Sequence, residues 1–319
     1  MPLHPDVEAF LELAELSRLS GKSQPMSRLP VEQARAEFEQ TSPLLDGDPP
    51  QDLDVTTHRY PARDGHPLQA RLYRKSAAPD AQPVLLYFHG GGYVVGSLDS
   101  HDALCRRLAQ AGDCAILALD YRLAPEWPFP TAVLDALDGA NWLAEQARNL
   151  GLDPARTAFG GDSVGATLAT VLTLHACHHP ATLALRPRAQ VLLYPVTDVS
   201  CKRPSHARYA EGHLLETDTL DWFYHHYLPN PADREDWRVS PLLADTLHDL
   251  PPTYLGLAEY DPLHDEGLTY AQRLRDAGNV LHLDTQHGLT HDYMRMAGLV
   301  AEVEELQRGL MGWVIRQMR

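Results

Sequence analysis

A serine between two glycines, Gly161-Asp162-Ser163-Val164-Gly165, follows an apolar, strand-like run ending at Gly160 and opens a small-residue segment of helical character. Strand, G-x-S-x-G and helix together are the setting of a nucleophile elbow, a strained turn that lifts the serine hydroxyl above a sheet edge. Glycines flank it because a side chain at either place would strike the neighbouring strand or helix. An ordinary strand-turn-helix junction reads much the same, so the pentapeptide needs partners. A serine hydroxyl is a poor nucleophile without a base in hydrogen-bond reach. The base in turn needs an acid that orients it and stabilises its imidazolium. On an elbow scaffold the order along the chain is Ser, then Asp or Glu, then His.

The chain offers both partners in that order, each just beyond a late strand-like run. After TYLGLA come Glu259 and Asp261. Asp261 is the better acid, being further into the loop and followed by the rigid Pro262. Asp265 and Glu266 read as the first turn of the next helix, where negative charge offsets the helix dipole. After VLHLDT come His287 and His291. His291 is favoured because His287 lies closer to the strand end, but spacing alone leaves the two open. A third element follows the run PVLLYF, namely His89-Gly90-Gly91-Gly92. Glycines there let backbone N–H groups approach a developing oxyanion, and the N–H of Val164 would complete the set. A phosphate-cradling loop is the competing reading, but Gly90, Gly92 and Gly96 miss the G-x-G-x-x-G spacing and no Lys-Ser/Thr follows.

These groups need a scaffold that gathers them. VTTHRYPA and PLQARLYRK flank Asp64-Gly65, the pattern of a β-hairpin. PVLLYF, CAILALDY, the run before the elbow, QVLLYPV, TYLGLAEY and VLHLDT read as further strands. Helices are expected at Asp102 to Ala111, Ala132 to Leu150, after the elbow, at about 265–277 and at 294–318. Alternation of this kind predicts an α/β fold: a mostly parallel sheet of about eight strands, flanked by helices. Residues 1–48 read as two helices, the first with Val7, Phe10, Leu11, Leu13, Ala14 and Leu16 on one apolar face, the second carrying Ala34 and Phe38 inward. The interval from about 200 to 240 breaks the alternation and contains YAEGHLLETDTLDWFYHHYL, read as an aromatic-rich helix. Helices 1–48 and this insertion are expected to form a cap over the catalytic domain, residues 49–319, at the sheet edge where α/β proteins bind ligands.

Composition narrows the partners. A formal net charge of −16 in 319 residues argues against nucleic acid or an anionic membrane. No apolar run is long enough to span a bilayer, and acidic MPLHPDVEAF lacks the features of a secretory signal. Cysteines at 105, 114, 177 and 201 show no C-x-x-C spacing, so free thiols in a cytoplasmic protein are expected.

The motifs HGGGYVVGS, YRLAPE, GGDSVGA, DPLHDEG and GLTHDY, in this order, resemble those of the hormone-sensitive-lipase-like (bacterial family IV) carboxylesterases of the α/β-hydrolase fold. The resemblance spans roughly residues 50–319. It implies Ser163 as nucleophile, Asp261 as acid and His291 as base, which settles the choice between histidines. It also implies an oxyanion hole of N–H groups from Gly91, Gly92 and Val164, with His89 and Gly90 shaping the loop. The implied activity is hydrolysis of short- to medium-chain acyl esters through an acyl-enzyme, with no cofactor and no metal. A catalytically weak ligand-binding protein on the same fold, or an amidase, is the alternative. Two departures stand out: Val164 where the family usually has Ala, with a side chain expected to trim the pocket, and Asp292-Tyr293 for a common Gly-Phe, offering a tyrosine hydroxyl where the family is apolar.

Other clusters read as structural. HACHH (175–179) lies at a helix end with no partner cluster for a metal. His225, His226, Trp222, Phe223 and Tyr227 are expected to pack the cap, some lining the pocket. Arg122 and Glu126 are expected to hold a loop together. A homodimer through the last strand or the C-terminal helix is expected from an exposed sheet edge.

Overall fold

The computed structural model describes residues 1–76, 81–179 and 181–319. Eight strands form one sheet: β1 (Leu53–Pro61), β2 (Pro67–Lys75), β3 (Gln82–Phe88), β4 (Ala115–Asp120), β5 (Leu152–Asp162), β6 (Ala189–Leu193), β7 (Thr253–Tyr260) and β8 (Leu281–Thr290). Their order across the sheet is β1-β2-β4-β3-β5-β6-β7-β8. The hairpin pairs antiparallel, with Asp64-Gly65 at its turn, and β2 meets β4 antiparallel; β4, β3, β5, β6, β7 and β8 pair parallel. The expected fold class is therefore the observed one.

Helices α1 (Pro5–Leu19) and α2 (Val31–Asp46) precede the sheet, followed by α3 (Asp102–Ala111), α4 (Thr131–Gln146), α5 (Val164–His178), α6 (Pro204–Arg208), α7 (Thr217–Tyr227), α8 (His264–Asp276) and α9 (Val303–Gln317). Central strands are apolar on both faces because helices cover both. Along β3, Val84, Leu85, Leu86, Tyr87 and Phe88 are all fully buried, Val84, Leu86 and Phe88 in one core and Leu85 and Tyr87 in the other. Among the described residues no helix is long and apolar enough to cross a membrane.

Several boundaries differ from the sequence reading. Of the insertion segment read as one aromatic-rich helix, residues 209–228, only α7 is an α-helix; 209–216 is a loop that follows the short α6. On α1 only Val7 is buried, while Leu13 and Leu16 are exposed, so its apolar stripe is only partly used. The C-terminal helix starts at Val303 rather than 294. Before it, a 3-10 turn at Tyr293–Arg295 leads into Gly298, whose N–H donates to the Leu45 carbonyl (2.8 Å). A Cβ on Gly298 would come 2.7 Å from the Gly47 Cα, so only two glycines allow these backbones to touch. That contact holds the end of α2 against the segment after His291, and it is incompatible with a continuous helix.

Glycine is required most strictly where β3 and β5 converge. A Cβ on Gly165 or Gly161 would overlap the Phe88 carbonyl, and one on Gly90 would fall on the Asp162 carboxylate. Gly165→Ala is therefore expected to lower stability by about 1–3 kcal/mol through forced backbone movement. Gly309→Ala, in α9 with open space around it, should raise stability by roughly 0.5–1 kcal/mol. Urea unfolding of the two variants beside the parent protein tests both signs; equal midpoints for the two would contradict the close approach.

Candidate active site

Ser163 ends β5 and precedes α5 with φ 52° and ψ −123°, a conformation that a non-glycine residue adopts only under local constraint. Its own N–H donates to the Leu193 carbonyl (2.8 Å), and its carbonyl accepts from Ala166 and Thr167. The backbone is thus pinned on both sides and the side chain stands clear of the sheet. Asp261 sits just beyond β7 and His291 just beyond β8, which places both at the same carboxyl edge. His291 Nε2 lies 3.0 Å from Ser163 Oγ and His291 Nδ1 lies 2.7 Å from Asp261 Oδ2. Asp261 Oδ1 accepts from the Leu263 N–H (2.8 Å), so the carboxylate cannot rotate freely. All three side chains are nearly inaccessible: Ser163 is 7%, His291 4% and Asp261 1% exposed.

Burial works against a charged imidazole, but the buried Asp261 carboxylate and its hydrogen bond outweigh it, and His291 titrates above its ordinary value. The neutral ring carries its proton on Nδ1 toward Asp261 and leaves Nε2 free to accept the serine proton. Tyr194, at the end of β6, packs edge-on against this ring with centroids 4.7 Å apart. The rejected candidates pair with each other instead. β8 runs to Thr290, further than the sequence suggested, so His287 is a strand residue; its Nδ1 lies 3.1 Å from Glu259 Oε2 on the surface.

The loop after β3 completes the arrangement. Gly91 and Gly92 have φ of 112° and 61° and line the cavity that contains Ser163 and His291. Val164 is the first residue of α5, so its N–H has no acceptor within the helix. His89 shapes the loop from beneath: its Nδ1 lies 2.7 Å from the Gly90 carbonyl, and its ring stacks on Tyr121, whose hydroxyl donates to the His89 carbonyl (2.8 Å). Burial lowers its pKa to about 3, which keeps it neutral. Asp162, directly before Ser163, is wholly buried. Its carboxylate accepts from the Tyr87 hydroxyl (2.7 Å) and faces His101 Nε2 (3.3 Å). Burial opposes its ionisation, yet His101 and Tyr87 overcome this and hold its pKa at about 2.

The cavity over Ser163 has a volume near 220 Å³. Its floor is Ser163, Gly91 and Gly92, and its walls come from α2 (Phe38, Thr41), from Leu214 and Leu215, and from Phe223 of α7. A Cβ on Gly92 would run into the Phe223 ring, so the insertion rests directly on the loop. Of the other aromatic residues, Tyr227 stacks on Tyr93 (3.8 Å) and Trp222 packs on His226 (4.6 Å).

Sequence reasoning missed the burial of two ionisable groups here. Arg295 is 1% exposed; it donates to Ser42 Oγ (2.7 Å) and the Ser100 carbonyl (2.9 Å), and lies 3.3 Å from Asp46 and over the Phe38 ring. It joins α2 to the segment after the base, and a lone arginine in a sequence carries no sign of that. Glu266 was read as a helix-dipole residue but is fully buried. Its Oε1 accepts from the N–H groups of Thr197 (2.7 Å) and Asp198 (3.2 Å), and burial raises its pKa to about 8.

The two departures resolve against the pocket. Val164 packs into the core rather than lining the cavity. Tyr293 is fully buried with its hydroxyl against Gly256 of β7, because the 3-10 turn directs it under the sheet. Arg122 makes a bidentate contact with Asp135 and reaches Asp64, while Glu126 pairs with Arg35 of α2, the structural roles expected. In the HACHH cluster, His175 lies against Trp237 with ring centroids 5.3 Å apart. No set of three His, Cys, Asp or Glu side chains placed to hold a metal occurs among the described residues.

Comparison with known proteins agrees with this geometry. A family model described as the alpha/beta hydrolase fold matches residues 85–295. An ethyl acetate hydrolase from Pseudomonas putida is 49% identical over 315 residues, 96% of each chain, and the carboxylesterase NlhH of Mycobacterium tuberculosis is 34% identical over 287 residues, 88% of each. The crystal structure of a thermostable esterase from Pseudomonas putida ECU1011 superposes with a TM-score of 0.92 at 31% identity, covering 100% of this chain and 98% of that one. With a family model over residues 85–295 and ester-hydrolase relatives over nearly its whole length, the chain belongs to the hormone-sensitive-lipase-like carboxylic ester hydrolases of the α/β-hydrolase fold.

Proposed function

We propose that Ser163, His291 and Asp261 are the nucleophile, base and acid of this serine carboxylesterase, and that the N–H groups of Gly91, Gly92 and Val164 form its oxyanion hole. The observation that carries the assignment is the unbroken hydrogen-bonded chain from Asp261 through His291 to the Ser163 hydroxyl. His291 Nε2 takes the hydroxyl proton as Oγ attacks the ester carbonyl. The backbone donors hold the tetrahedral oxyanion, each contributing on the order of 10²–10³ in rate. His291 then protonates the leaving alcohol, giving an acyl-Ser163, and water repeats the sequence to release the acid.

The substrate class follows from the size of the site. A cavity near 220 Å³ is smaller than the roughly 300–1,000 Å³ that takes drug-sized ligands. That favours esters with short acyl chains, in line with the ethyl acetate hydrolase relative. Residues 1–48 and the insertion at about 200–240 act as the cap, since both supply walls of this cavity. Four unpaired cysteines support a cytoplasmic location. β8 has β7 as its neighbour on one side and lies at the sheet edge, which supports a homodimer through that edge. Light scattering on the purified protein is expected to return twice the chain mass of 35.5 kDa; the single-chain mass at assay concentration would remove the dimer.

Ser163→Ala is expected to reduce kcat for p-nitrophenyl acetate by on the order of 10⁴-fold or more, with the fold retained by circular dichroism. Turnover comparable to that of the parent would rule out the assignment. The active form has neutral His291, so kcat/KM should fall as pH drops through a pKa above the ordinary histidine value, because Asp261 favours the charged ring. Asp261→Asn removes that charge. It should move the acid limb to lower pH while cutting kcat by about 10⁴-fold. A profile whose acid limb stays in place in this variant would show that Asp261 is not the partner.

A further inference from the structure

A second, larger cavity adjoins the one over Ser163. Its volume is near 620 Å³, and it lies between α1 and the loop that leads into α7. Arg18 and Leu214 line both cavities, so they stand at the boundary between them. Arg18, in the last turn of α1, reaches across to Glu216, at the start of α7, with Nη1 2.5 Å from Oε1. The two residues are 198 positions apart in the chain. Glu216 is largely covered and Arg18 about one-third exposed, so the pair can open toward solvent without disturbing the core. Leu214 is held beside it with φ 71°, an unusual backbone for a leucine, and the Gly212 N–H also turns toward Glu216 Oε1 (3.4 Å). One ion pair and one leucine therefore form the shared boundary of a small chamber with the catalytic groups and a roomier one open to the surface.

We propose that the Arg18–Glu216 pair, with Leu214, is the chain-length determinant of this enzyme. Paired, it confines the ester to the inner chamber; parted, it joins the two and admits the far end of the longer chain of a larger ester. Glu8, Glu12 and Glu15 of α1 line the outer chamber and its acids outnumber Arg18 and Arg28, so a carboxylate does not extend into it. Removing the pair opens space along the chain path without touching Ser163, His291 or the glycine loop. An extra methylene that finds apolar contact changes discrimination by about 10-fold or more, which sets the size of effect to look for. The proposal rests on the reading of Ser163 as nucleophile, and hydrolysis of the acetate ester reports on that reading separately.

The test is a ratio of kcat/KM values, octanoate over acetate, for p-nitrophenyl esters, repeated with octyl over ethyl acetate to vary the alcohol side. Arg18→Met and Glu216→Gln are each expected to raise one of these ratios by about tenfold or more. The swapped pair Arg18→Glu/Glu216→Arg should return it toward the parent value. Neither ratio moving in folded variants that still cleave the acetate would overturn the proposal while leaving the catalytic assignment intact. Parent-like acetate turnover by Ser163→Ala would instead overturn the assignment on which it rests.

Discussion

The whole site depends on how closely the ends of β3 and β5 approach each other. The carbonyls of Phe88 and His89 lie where side chains at 161 and 165 would have to go, and the Asp162 carboxylate lies where one at 90 would. Three glycines thus let the loop after β3 lie against the elbow after β5. That contact puts the N–H groups of Gly91 and Gly92 in one cavity with the Ser163 hydroxyl. Neither loop could be moved outward to make room without separating donors from nucleophile. The strain in the Ser163 backbone is held by the same packing, with hydrogen bonds to its own N–H and carbonyl on either side.

Buried charge then locks this edge to the N-terminal helices. Asp162 remains ionised in the core because Tyr87 and His101 compensate for its lost hydration. Arg295 is as deeply buried, and it binds Ser42 of α2 and the Ser100 carbonyl just before α3 while belonging to the turn after His291. Such a group is costly to leave alone and useful only when fully paired. The Gly47–Gly298 contact reinforces the same junction through backbone rather than charge. Residues in the first fifth of the chain therefore help define a cavity that also holds Gly91, Gly92, Ser163 and His291. His291 is positioned from three directions: by Asp261, by the Tyr194 ring and by the Arg295 turn that follows it.

Much of this was legible because the chemistry is carried by residue types that have few alternative uses at those spacings. The Asp64-Gly65 turn marked the first two strands and apolar runs the other six, and the order of Ser163, Asp261 and His291 followed strand ends. What failed was what depends on where an element stops. β8 continues five residues beyond the apolar run, because its pairing with β7 continues past polar side chains such as Gln286. That extension places His287 on the strand and frees only His291 to turn over the edge. Similarly, the C-terminal helix begins late because Gly298 is committed to a backbone contact, and Tyr293 faces the core because the turn before it directs it there. Leu13 and Leu16 sit on an apolar stripe that the fold leaves exposed.

By itself the sequence determined the alternation of strands and helices, the elbow with its obligatory glycines, and the set of groups able to activate a serine. Those are local properties: period, turn chemistry and residue type act within a few positions. Only the tertiary structure decided which histidine meets which carboxylate, that Glu266 in the first turn of α8 is fully buried, that Arg295 braces the segment after His291, and how small the chamber over Ser163 is. Each of these turns on distances between segments up to 250 residues apart, such as Arg295 and Ser42. Such distances are set by how close two backbones can come and by which buried charges find partners, and neither is written in any one stretch of the chain.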